Sequence, residues 1–323
     1  MFTVDDIKGK NILLRADLDV PIQAGKVENS FRLEALLPTL KICLENAHRT
    51  CLMGHLGRPE GKDSAFSLAP VREELKRLIN QEIPLIVSGF SPGECWTGEF
   101  PLSIMENLRF DPREENISRE FAEELSRGAD LYIYEAFANY RPSTSLHKIP
   151  EVLPTRTGLQ FDREVATLKK ILTEPVHPTL LLVSGAKPDK LEMIQQITHR
   201  FDKVLVGGKF ASPDHLTPDG KDLNEEATSL FKKAISEAKT IVLNGPLGLY
   251  EDGVHAKATQ EVLEALKSAS AFTVLGGGDT LAAIPDLGFR YTDFDFVSTG
   301  GGAMLDYLFT GTHPLLDILS EMP

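Results

Sequence analysis

The chain has 323 residues, a length that predicts two domains, each large enough to bury a core of its own. Hydrophobic residues make up 42% and charged residues 25% of the chain, and the mean hydropathy of -0.12 leaves no apolar excess for a membrane span. Asp and Glu number 47 against 34 Lys and Arg, and the net charge of -13 argues against a nucleic-acid partner. Because this negative field repels anions, an anionic ligand would need a local concentration of basic residues.

Localisation is predicted from the N-terminus and the cysteines. The first residues, MFTVDDIKGKN, place acids before an apolar run, which is the wrong order for a secretory signal. Cys43, Cys51 and Cys95 are too few for a disulfide framework and lack the spacing of a metal site. The sequence therefore predicts a cytoplasmic protein with buried thiols and no membrane partner.

The first half of the chain alternates apolar strand-like runs with amphipathic helical stretches. The predicted strands are 11–18, 49–54, 85–90 and 130–137, and the predicted helices are 31–47, 67–80 and 118–129. Such alternation is typical of parallel βαβ units. Near Pro150 the pattern changes, because IPEVLPTRTG holds two prolines and a glycine before a helical stretch. The sequence thus predicts two doubly wound parallel-sheet domains of Rossmann-like α/β class, joined by a helix.

The second half contains five short apolar strands, and each one runs into glycine. They read LLLVSGAK, VLVGGK, IVLNGPLG, TVLGGGD and FVSTGGGA. In open parallel sheets, ligands bind beyond the carboxyl ends of the strands, where glycine lets the backbone approach phosphate. Any single glycine here also fits an ordinary turn, and neither a Walker A pattern nor a GxGxxG fingerprint is present. The set as a whole predicts a nucleotide crevice of another kind.

Basic residues in the first half fall where predicted strands end or helices begin. They are Arg32, His55, Arg58, Arg109 and Arg141. Because the strand ends of a parallel sheet share one edge, we expect these side chains to converge on one anion, and arginine gives forked contacts to phosphate or carboxylate. For any one of them alone, an unrelated surface position is the commoner case. The set predicts an anion site.

Nine segments resemble the phosphoglycerate kinase family in order and context. They are RADLDVP, FRLEALLPTLK, GHLGRPEGK, SLAPVREELKRL, ENLRFDPREE, SGAKPDK, LNGPLGLYE, GGGDT and VSTGGGA, and they cover nearly the whole chain. The resemblance implies a bilobal fold with an acceptor domain at 1–154, a connector helix at 155–174 and a nucleotide-binding domain at 175–302. It further implies that 303–323 returns to the first domain.

The resemblance also implies an activity. The family transfers a phosphoryl group reversibly between ATP and the carboxylate of 3-phosphoglycerate, with Mg2+ and without a covalent enzyme intermediate. Catalysis of this kind consists of positioning and charge neutralisation. The implied cofactors are ATP or ADP and Mg2+, and the implied protein is a cytoplasmic monomer of glycolysis with small-molecule substrates.

Site residues follow where this sequence matches the family's motifs. The acceptor side comprises Asp17, Asp19, Arg32, His55, Arg58, Arg109 and Arg141. The nucleotide side comprises Gly185, Lys187, Lys190, Gly207, Asn244, Glu251, Gly278, Asp279 and Thr280, with Asp279 holding Mg2+. The implied catalytic groups are Arg32, Lys187, Gly300 and Gly301. Taken singly, the aspartates also fit helix caps, and Glu251 and the lysines also fit solvated positions.

The acceptor side departs from the family at two places. The family has asparagine where this chain has Asp19, which puts a second carboxylate beside an anionic ligand and predicts weaker binding. Matching Arg141 to the family's arginine requires one deleted residue, and Tyr140 and Ser143 replace flanking histidines. These changes leave open a related kinase with a different carboxylate or phosphate acceptor.

The nucleotide side departs as well. Lys187 and Lys190 stand three residues apart instead of four, although both spacings share a helix face. After VLVGGK the family continues for several dozen residues that this chain lacks, and 210–230 leads directly into the next helix. The missing part supplies a wall of the adenine pocket, so we expect a shallower or rebuilt pocket. A catalytically inactive nucleotide or metabolite binder is the third hypothesis.

Overall fold

The computed structural model describes residues 1–86, 90, 92–185 and 194–322. The chain divides into two compact units. One comprises Met1–Val165 together with the residues from Thr312 onward, and the other comprises Ala166–Gly311. No helix within the described ranges is long and apolar enough to cross a lipid bilayer.

The first unit is built on a six-stranded parallel sheet with strand order β5-β6-β4-β1-β7-β8. Its strands are β1 (Asn11–Arg15), β4 (Arg49–Met53), β5 (Leu85–Ile86), β6 (Leu102–Met105), β7 (Leu131–Tyr134) and β8 (Thr155–Thr157). A small antiparallel hairpin pairs β2 (Ile22–Gln23) with β3 (Lys26–Val27). The four predicted strands are confirmed as β1, β4, β5 and β7, and β1, β4 and β7 are shorter than their apolar runs because the residues that follow them are buried as well.

The helices of this unit flank the sheet. They are α1 (Val4–Ile7), α2 (Phe31–Asn46), α3 (Ala69–Ile79), α4 (Gly93–Thr97), α5 (Arg119–Leu125), α6 (Thr144–His147), α7 (Ile149–Val152) and the C-terminal helix Pro314–Glu321. The three predicted helices are confirmed as α2, α3 and α5. Helix α3 ends at Asn80, whose left-handed φ of 54° stops the helical hydrogen bonding.

The second unit is built on a five-stranded parallel sheet with strand order β10-β9-β11-β12-β13. Its strands are β9 (Thr179–Gly185), β10 (Lys203–Gly208), β11 (Thr240–Asn244), β12 (Phe272–Gly276) and β13 (Phe296–Val297). Its helices include α9 (Glu225–Glu237), α10 (Lys257–Lys267), α11 (Gly278–Asp286) and α12 (Gly301–Thr310), while helix α8 (Leu159–Thr173) starts in the first unit and ends in this one. All five predicted strands are confirmed, so both sheets have the predicted parallel α/β class.

The segment expected to be a connector at 155–174 starts with strand β8, and its helix covers Leu159–Thr173. Strand β8 extends the first sheet by pairing with β7. The hydrogen bond from Gly158 N to Tyr134 O, at 2.9 Å, continues this pairing by one residue. The finer boundaries at 154, 174 and 302 remain a prediction.

The chain passes from β10 to α9 without another strand. Between them lie a short 3-10 turn, Pro213–His215, and one isolated bridge between Leu216 and Leu223. Strand β10 is therefore an edge of its sheet. The three cysteines, Cys43, Cys51 and Cys95, are buried and free, as predicted.

Candidate active site

Loops from four strands of the first unit meet at the carboxyl edge of its sheet. Asp17, after β1, accepts a hydrogen bond at Oδ2 from the backbone N of Ala138, after β7, at 3.1 Å. Asp19 accepts at Oδ1 from Gly57 N, after β4, at 2.8 Å. Arg109, after β6, donates through Nη1 to Gly57 O at 2.6 Å. These contacts bring residues 17, 19 and 109 to one edge, as the strand positions predict.

Arg32 and Arg58 belong to the same edge. Arg32 lies in the first turn of α2, and its Nη1 donates to the carbonyl oxygen of Asp19. Arg58 is exposed and follows Gly57. Burial lowers the pKa of His55 well below its usual value, and the charges of nearby arginines, including Arg32 and Arg58, add to this effect. The structure therefore gathers these predicted residues around one neutral histidine.

Arg15 is part of this group, and the sequence analysis did not assign it a role. Its side chain is fully buried, its Nη2 lies 2.6 Å from Nδ1 of His55, and its Nε donates to Ser145 Oγ at 3.1 Å. Ser145 Oγ in turn donates to Glu114 Oε1 at 2.6 Å. A buried positive charge needs such partners, because its desolvation is costly. The signal was present in the segment RADLDVP, but Arg15 stands inside an apolar strand.

Asn107 is a second residue that the sequence analysis missed. Its Oδ1 accepts from the backbone N of Leu56 at 3.2 Å and of Arg109 at 3.1 Å, and its Nδ2 donates to the carbonyls of Leu56 and Phe66. One buried amide therefore fixes the loop after β4 to the turn that carries Arg109. The segment ENLRF contains this asparagine.

Asp17 is buried beside the cluster. Burial raises the pKa of its carboxyl, while the charges of Arg32 and Arg15 and the bond from Ala138 oppose that rise. Its charge is balanced by the arginines around it. Asp19 is more open, with 41% of its side chain exposed, and its Oδ2 lies 4.0 Å from Nε2 of His55.

Arg141 is placed differently from the other predicted basic residues. Its side chain is exposed and forms no hydrogen bond or ion pair with the described part of the chain. The loop that carries it is held by Tyr134, whose hydroxyl donates to Asn139 O at 2.7 Å. No contact joins Arg141 to the cluster within those residues, so its role remains a prediction.

In the second unit, three strand ends meet at Asn244, the last residue of β11. Asn244 Nδ2 donates to the carbonyl of Gly301 at 3.0 Å, at the start of α12. The next residue, Gly245, donates its N–H to Thr280 Oγ1 at 2.9 Å, in the first turn of α11. The N-termini of two helices therefore lie beside Asn244. Helix N-termini offer backbone N–H groups and a partial positive charge to anions.

Glycine is required where these helices approach each other. A Cβ on Gly301 would lie 2.2 Å from Cα of Gly277, and Gly277 itself has a φ of 114°. Gly207, at the end of β10, packs against Leu247, where a Cβ would meet the side chain at 2.6 Å. These positions are needed for close packing of the backbone.

Several other residues predicted to bind the nucleotide are exposed or lie at the ends of strands and helices of the second unit. Gly278 and Asp279 are exposed in the first turn of α11, and Gly300 N donates to Ser298 Oγ at 3.2 Å. Gly185 ends β9. Glu251 is exposed in the turn Tyr250–Asp252. Lys187 and Lys190 lie outside the described residues.

The segment that follows β10 is fastened to the loop that carries Glu251. Leu249 N donates to Lys221 O at 2.9 Å, and Asp222 Oδ2 accepts from Ala258 N at 3.2 Å. The first unit has a cavity of about 620 Å³ beside α7 and the C-terminal helix, and a smaller cavity of about 230 Å³ lies against β10. The smaller cavity is lined by Val204, Leu205, Val206, Phe210, Leu230 and Phe231, among others.

The chain is similar to known proteins in both sequence and structure. The sequence model of the phosphoglycerate kinase family matches residues 3–213 and 213–311. The phosphoglycerate kinase of Aquifex aeolicus is 31% identical over 94% of this chain and 94% of its own length. That alignment runs over 379 positions, more than the 323 residues here, so the relative contains residues that this chain lacks. The two matched ranges meet at residue 213, which agrees with the predicted deletion after β10.

Solved structures give the same result. Phosphoglycerate kinase from Coxiella burnetii superposes with a TM-score of 0.80 at 25% identity, covering 98% of this chain and 97% of that one. The enzyme from Pyrococcus horikoshii superposes with a TM-score of 0.86 at 24% identity and 99% coverage of this chain, which supports the fold. The fold and the relatives define a phosphotransferase with a carboxyl group as acceptor. The chain belongs to the phosphoglycerate kinase family, as a shortened member.

Proposed function

We propose that this protein catalyses the reversible, Mg2+-dependent transfer of a phosphoryl group between ATP and the carboxylate of 3-phosphoglycerate. The observation that carries the proposal is the pair Arg32 and Arg109, which are bound to backbone carbonyls of neighbouring loops at one sheet edge. A guanidinium has five N–H donors in a planar fork, a geometry that matches the oxygens of phosphate and carboxylate. A small acceptor that carries both a carboxylate and a phosphate ester, and so several negative charges, suits such a site.

The acceptor side would bind by charge and by orientation. Arg58 and Arg109 would contact the phosphate of 3-phosphoglycerate, and neutral His55 would donate from Nε2. Arg32 would neutralise the transferring group. Because Arg32 and Arg109 are bound to backbone carbonyls and His55 to buried Arg15, these three side chains need little rearrangement when the acceptor binds.

The nucleotide side would bind through the helix N-termini beside Asn244. Gly300 and Gly301 would offer N–H groups to the charge that develops during transfer, Gly278 and Thr280 would lie next to the phosphates, and Glu251 would bind the ribose. Lys187 and Lys190 would meet the transferring and inner phosphates. Transfer requires Arg32 and Lys187 to act on the same phosphoryl group.

Asp279 suits a magnesium site. Its carboxylate is exposed and has no hydrogen bond or ion pair with the described residues. Mg2+ is usually held by one or two carboxylates together with substrate phosphates, and no cluster of three His, Cys, Asp or Glu that could hold a metal is found in the described part of the chain. Bound there, the ion would neutralise phosphate charge. We further propose a cytoplasmic, monomeric enzyme of glycolysis.

A second candidate is a kinase for another small carboxylate or phosphate acceptor. The position of Asp19 favours it, because this carboxylate lies at the arginine cluster and accepts from Gly57 N. Its charge would repel an acceptor that carries both a phosphate and a carboxylate. An acceptor with less negative charge would be repelled less.

A coupled assay tests the proposal. Purified protein is incubated with Mg-ATP and 3-phosphoglycerate, and formation of 1,3-bisphosphoglycerate is followed. We expect turnover that falls at least 100-fold in Arg32→Ala and in Lys187→Ala. Arg77→Ala is the matched control, because Arg77 is exposed and pairs with Glu74 on α3 at 2.6 Å. ATP binding without turnover would favour an inactive binder, and turnover with another acceptor alone would favour the second candidate.

A further inference from the structure

The helix that joins the two units has no capping side chain of its own. This helix is α8 (Leu159–Thr173), and the residue before it is glycine. Its first N–H groups are bound by side chains from distant elements. Thr39 Oγ1, in α2, accepts from Leu159 N at 3.0 Å. The carboxylate of Glu135 accepts from Gln160 N at 3.0 Å and from Phe161 N at 2.9 Å.

Glu135 is buried where β7 ends. Its Oε1 also accepts from the hydroxyl of Thr39, so the two capping side chains are bonded to each other. A Cβ on Gly158 would lie 2.2 Å from Oε2 of Glu135, so only glycine leaves room for the carboxylate at this helix start. A negative charge at a helix N-terminus is stabilising because it offsets the helix dipole. Three donors, from Thr39, Gln160 and Phe161, are bound by the two oxygens of this one carboxylate.

The bonded side chains of Thr39 and Glu135, which cap α8, link this helix to α2. Helix α2 carries Arg32 in its first turn and Thr39 two turns later. Helix α8 begins in the first unit and ends in the second, with the division after Val165. The bonded pair of Thr39 and Glu135 therefore fixes the element that leads into the nucleotide unit to the element that presents Arg32.

We propose that Glu135 is a positioning residue for phosphoryl transfer, which fixes the first turn of α8 against α2. The inference rests on the proposed function and goes beyond it. Glu135 would contact no substrate and would act through the first backbone N–H groups of α8. Loss of its charge would loosen the first turn of α8. The binding groups for each substrate would stay in place, while the transfer step would slow.

The surroundings of Glu135 make its charge sensitive to pH. Burial raises its pKa to about 7, and the charge of Asp162 on α8 adds to this rise, while the bonds from Thr39, Phe161 and Gln160 oppose it. The thiol of Cys43 on α2 also interacts with this carboxylate, and burial together with the carboxylate raises the pKa of the thiol to about 12. At neutral pH, the cap is therefore partly protonated.

The test compares Glu135→Gln with wild type and with Glu123→Gln, a matched change on the exposed face of α5. Steady-state kinetics are measured from pH 6 to 8.5, and binding of 3-phosphoglycerate and of Mg-ATP is measured by calorimetry. We expect kcat to fall at least tenfold at pH 8 in E135Q, with both Kd values within twofold of wild type. In wild type, kcat should rise as the pH increases through about 7, where Glu135 loses its proton. In E135Q, this rise should be absent. A kcat within twofold of wild type would overturn the proposal.

Hydrogen exchange gives a readout that does not depend on turnover. The amides of residues 159–161 should exchange at least tenfold faster in E135Q, while those of α5 should not change. If wild type shows no turnover, the proposed function fails, and unchanged exchange in E135Q would refute the cap as well. If E135Q does not fold, Thr39→Val is used instead, because it keeps the carboxylate. It should also lower kcat and speed the exchange of amides 159–161, but by smaller factors. Wild-type kinetics and exchange in T39V would overturn the inference.

Discussion

Arg15 Nη2 lies 2.6 Å from Nδ1 of His55, and both side chains are buried under the loops that follow β1 and β4. Because arginine can only donate, Nδ1 accepts and the ring proton is on Nε2. Burial, followed by the positive charge of Arg15, holds the pKa of His55 well below its usual value. His55 is therefore a neutral donor, and its Nε2 lies 4.0 Å from Oδ2 of Asp19.

Arg15→Met is expected to lower the free energy of unfolding by about 3 to 5 kcal/mol, because it leaves the buried His55, Ser145 and Glu114 short of a partner. Urea denaturation followed by circular dichroism measures the change. Arg77→Met, at an exposed position, should change the same quantity by less than about 0.5 kcal/mol. A loss below about 1 kcal/mol in Arg15→Met would show that the buried network does not depend on this charge.

Asp19→Asn is expected to lower KM for 3-phosphoglycerate about fivefold with little change in kcat. The amide keeps an acceptor for Gly57 N but removes a charge that costs on the order of 1 kcal/mol against an anionic ligand. The difference should shrink at 1 M salt, because the carboxylate is partly exposed. Asp5→Asn, on the exposed face of α1, is the control. An unchanged or higher KM in Asp19→Asn would mean that Asp19 helps to bind the acceptor.

Two glycines near Asn244 should separate folding from phosphate binding. Gly301→Ala should destabilise the protein by about 1 to 3 kcal/mol, because its Cβ would overlap the backbone of Gly277. Gly278→Ala meets open space and should keep wild-type stability, yet raise KM for ATP because its Cβ blocks close approach of phosphate. Thermal melts and ATP titrations measure the two effects. Equal stability of both variants, or an unchanged KM for ATP in Gly278→Ala, would contradict the arrangement.

Base selectivity should be weak because the segment after β10 is short. Residues 209–224 contain one 3-10 turn and one isolated bridge, so few groups are available to bind a purine edge. We expect KM for Mg-GTP within about tenfold of that for Mg-ATP, since strong discrimination needs buried polar groups matched to one base. Glu251→Gln, at the proposed ribose contact, should weaken both nucleotides equally. A preference above 100-fold for either base would show a built base pocket.

His255 should make the second unit more stable at acidic than at alkaline pH. Its ring nitrogens lie 2.6 Å from Asp252 Oδ2 and from Asp219 Oδ2, and these bonds, Asp252 first, raise its pKa above the usual value. A raised pKa means that the stabilisation is fully present below about pH 6.5 and is lost as the pH rises through the folded value. The thermal midpoint of His255→Gln should therefore fall below wild type most at pH 6 and converge with it above pH 9. His48→Gln, at an exposed site, should show no such difference.

Sequence patterns predicted the features that depend on local chemistry. Glycine-terminated strands such as Phe272–Gly276 could be read directly, because buried parallel strands are apolar runs and their ends need close backbone approach. Strand β8 was missed, because three residues between Pro154 and Gly158 show no periodicity. The role of Arg15 could not be read either, since its partner Ser145 is 130 residues away and only the folded sheet brings them together.

The central claim is that a carboxyl group accepts the phosphoryl group from ATP. It is tested most directly by incubating the protein with Mg-[γ-32P]ATP and 3-phosphoglycerate in the presence of hydroxylamine, which cleaves acyl phosphates to hydroxamates and leaves phosphate esters intact. We expect steady formation of 3-phosphoglycerate hydroxamate with matching release of labelled phosphate, and the loss of both in Arg32→Ala. Labelled product that survives hydroxylamine, or no product at all, would contradict the account.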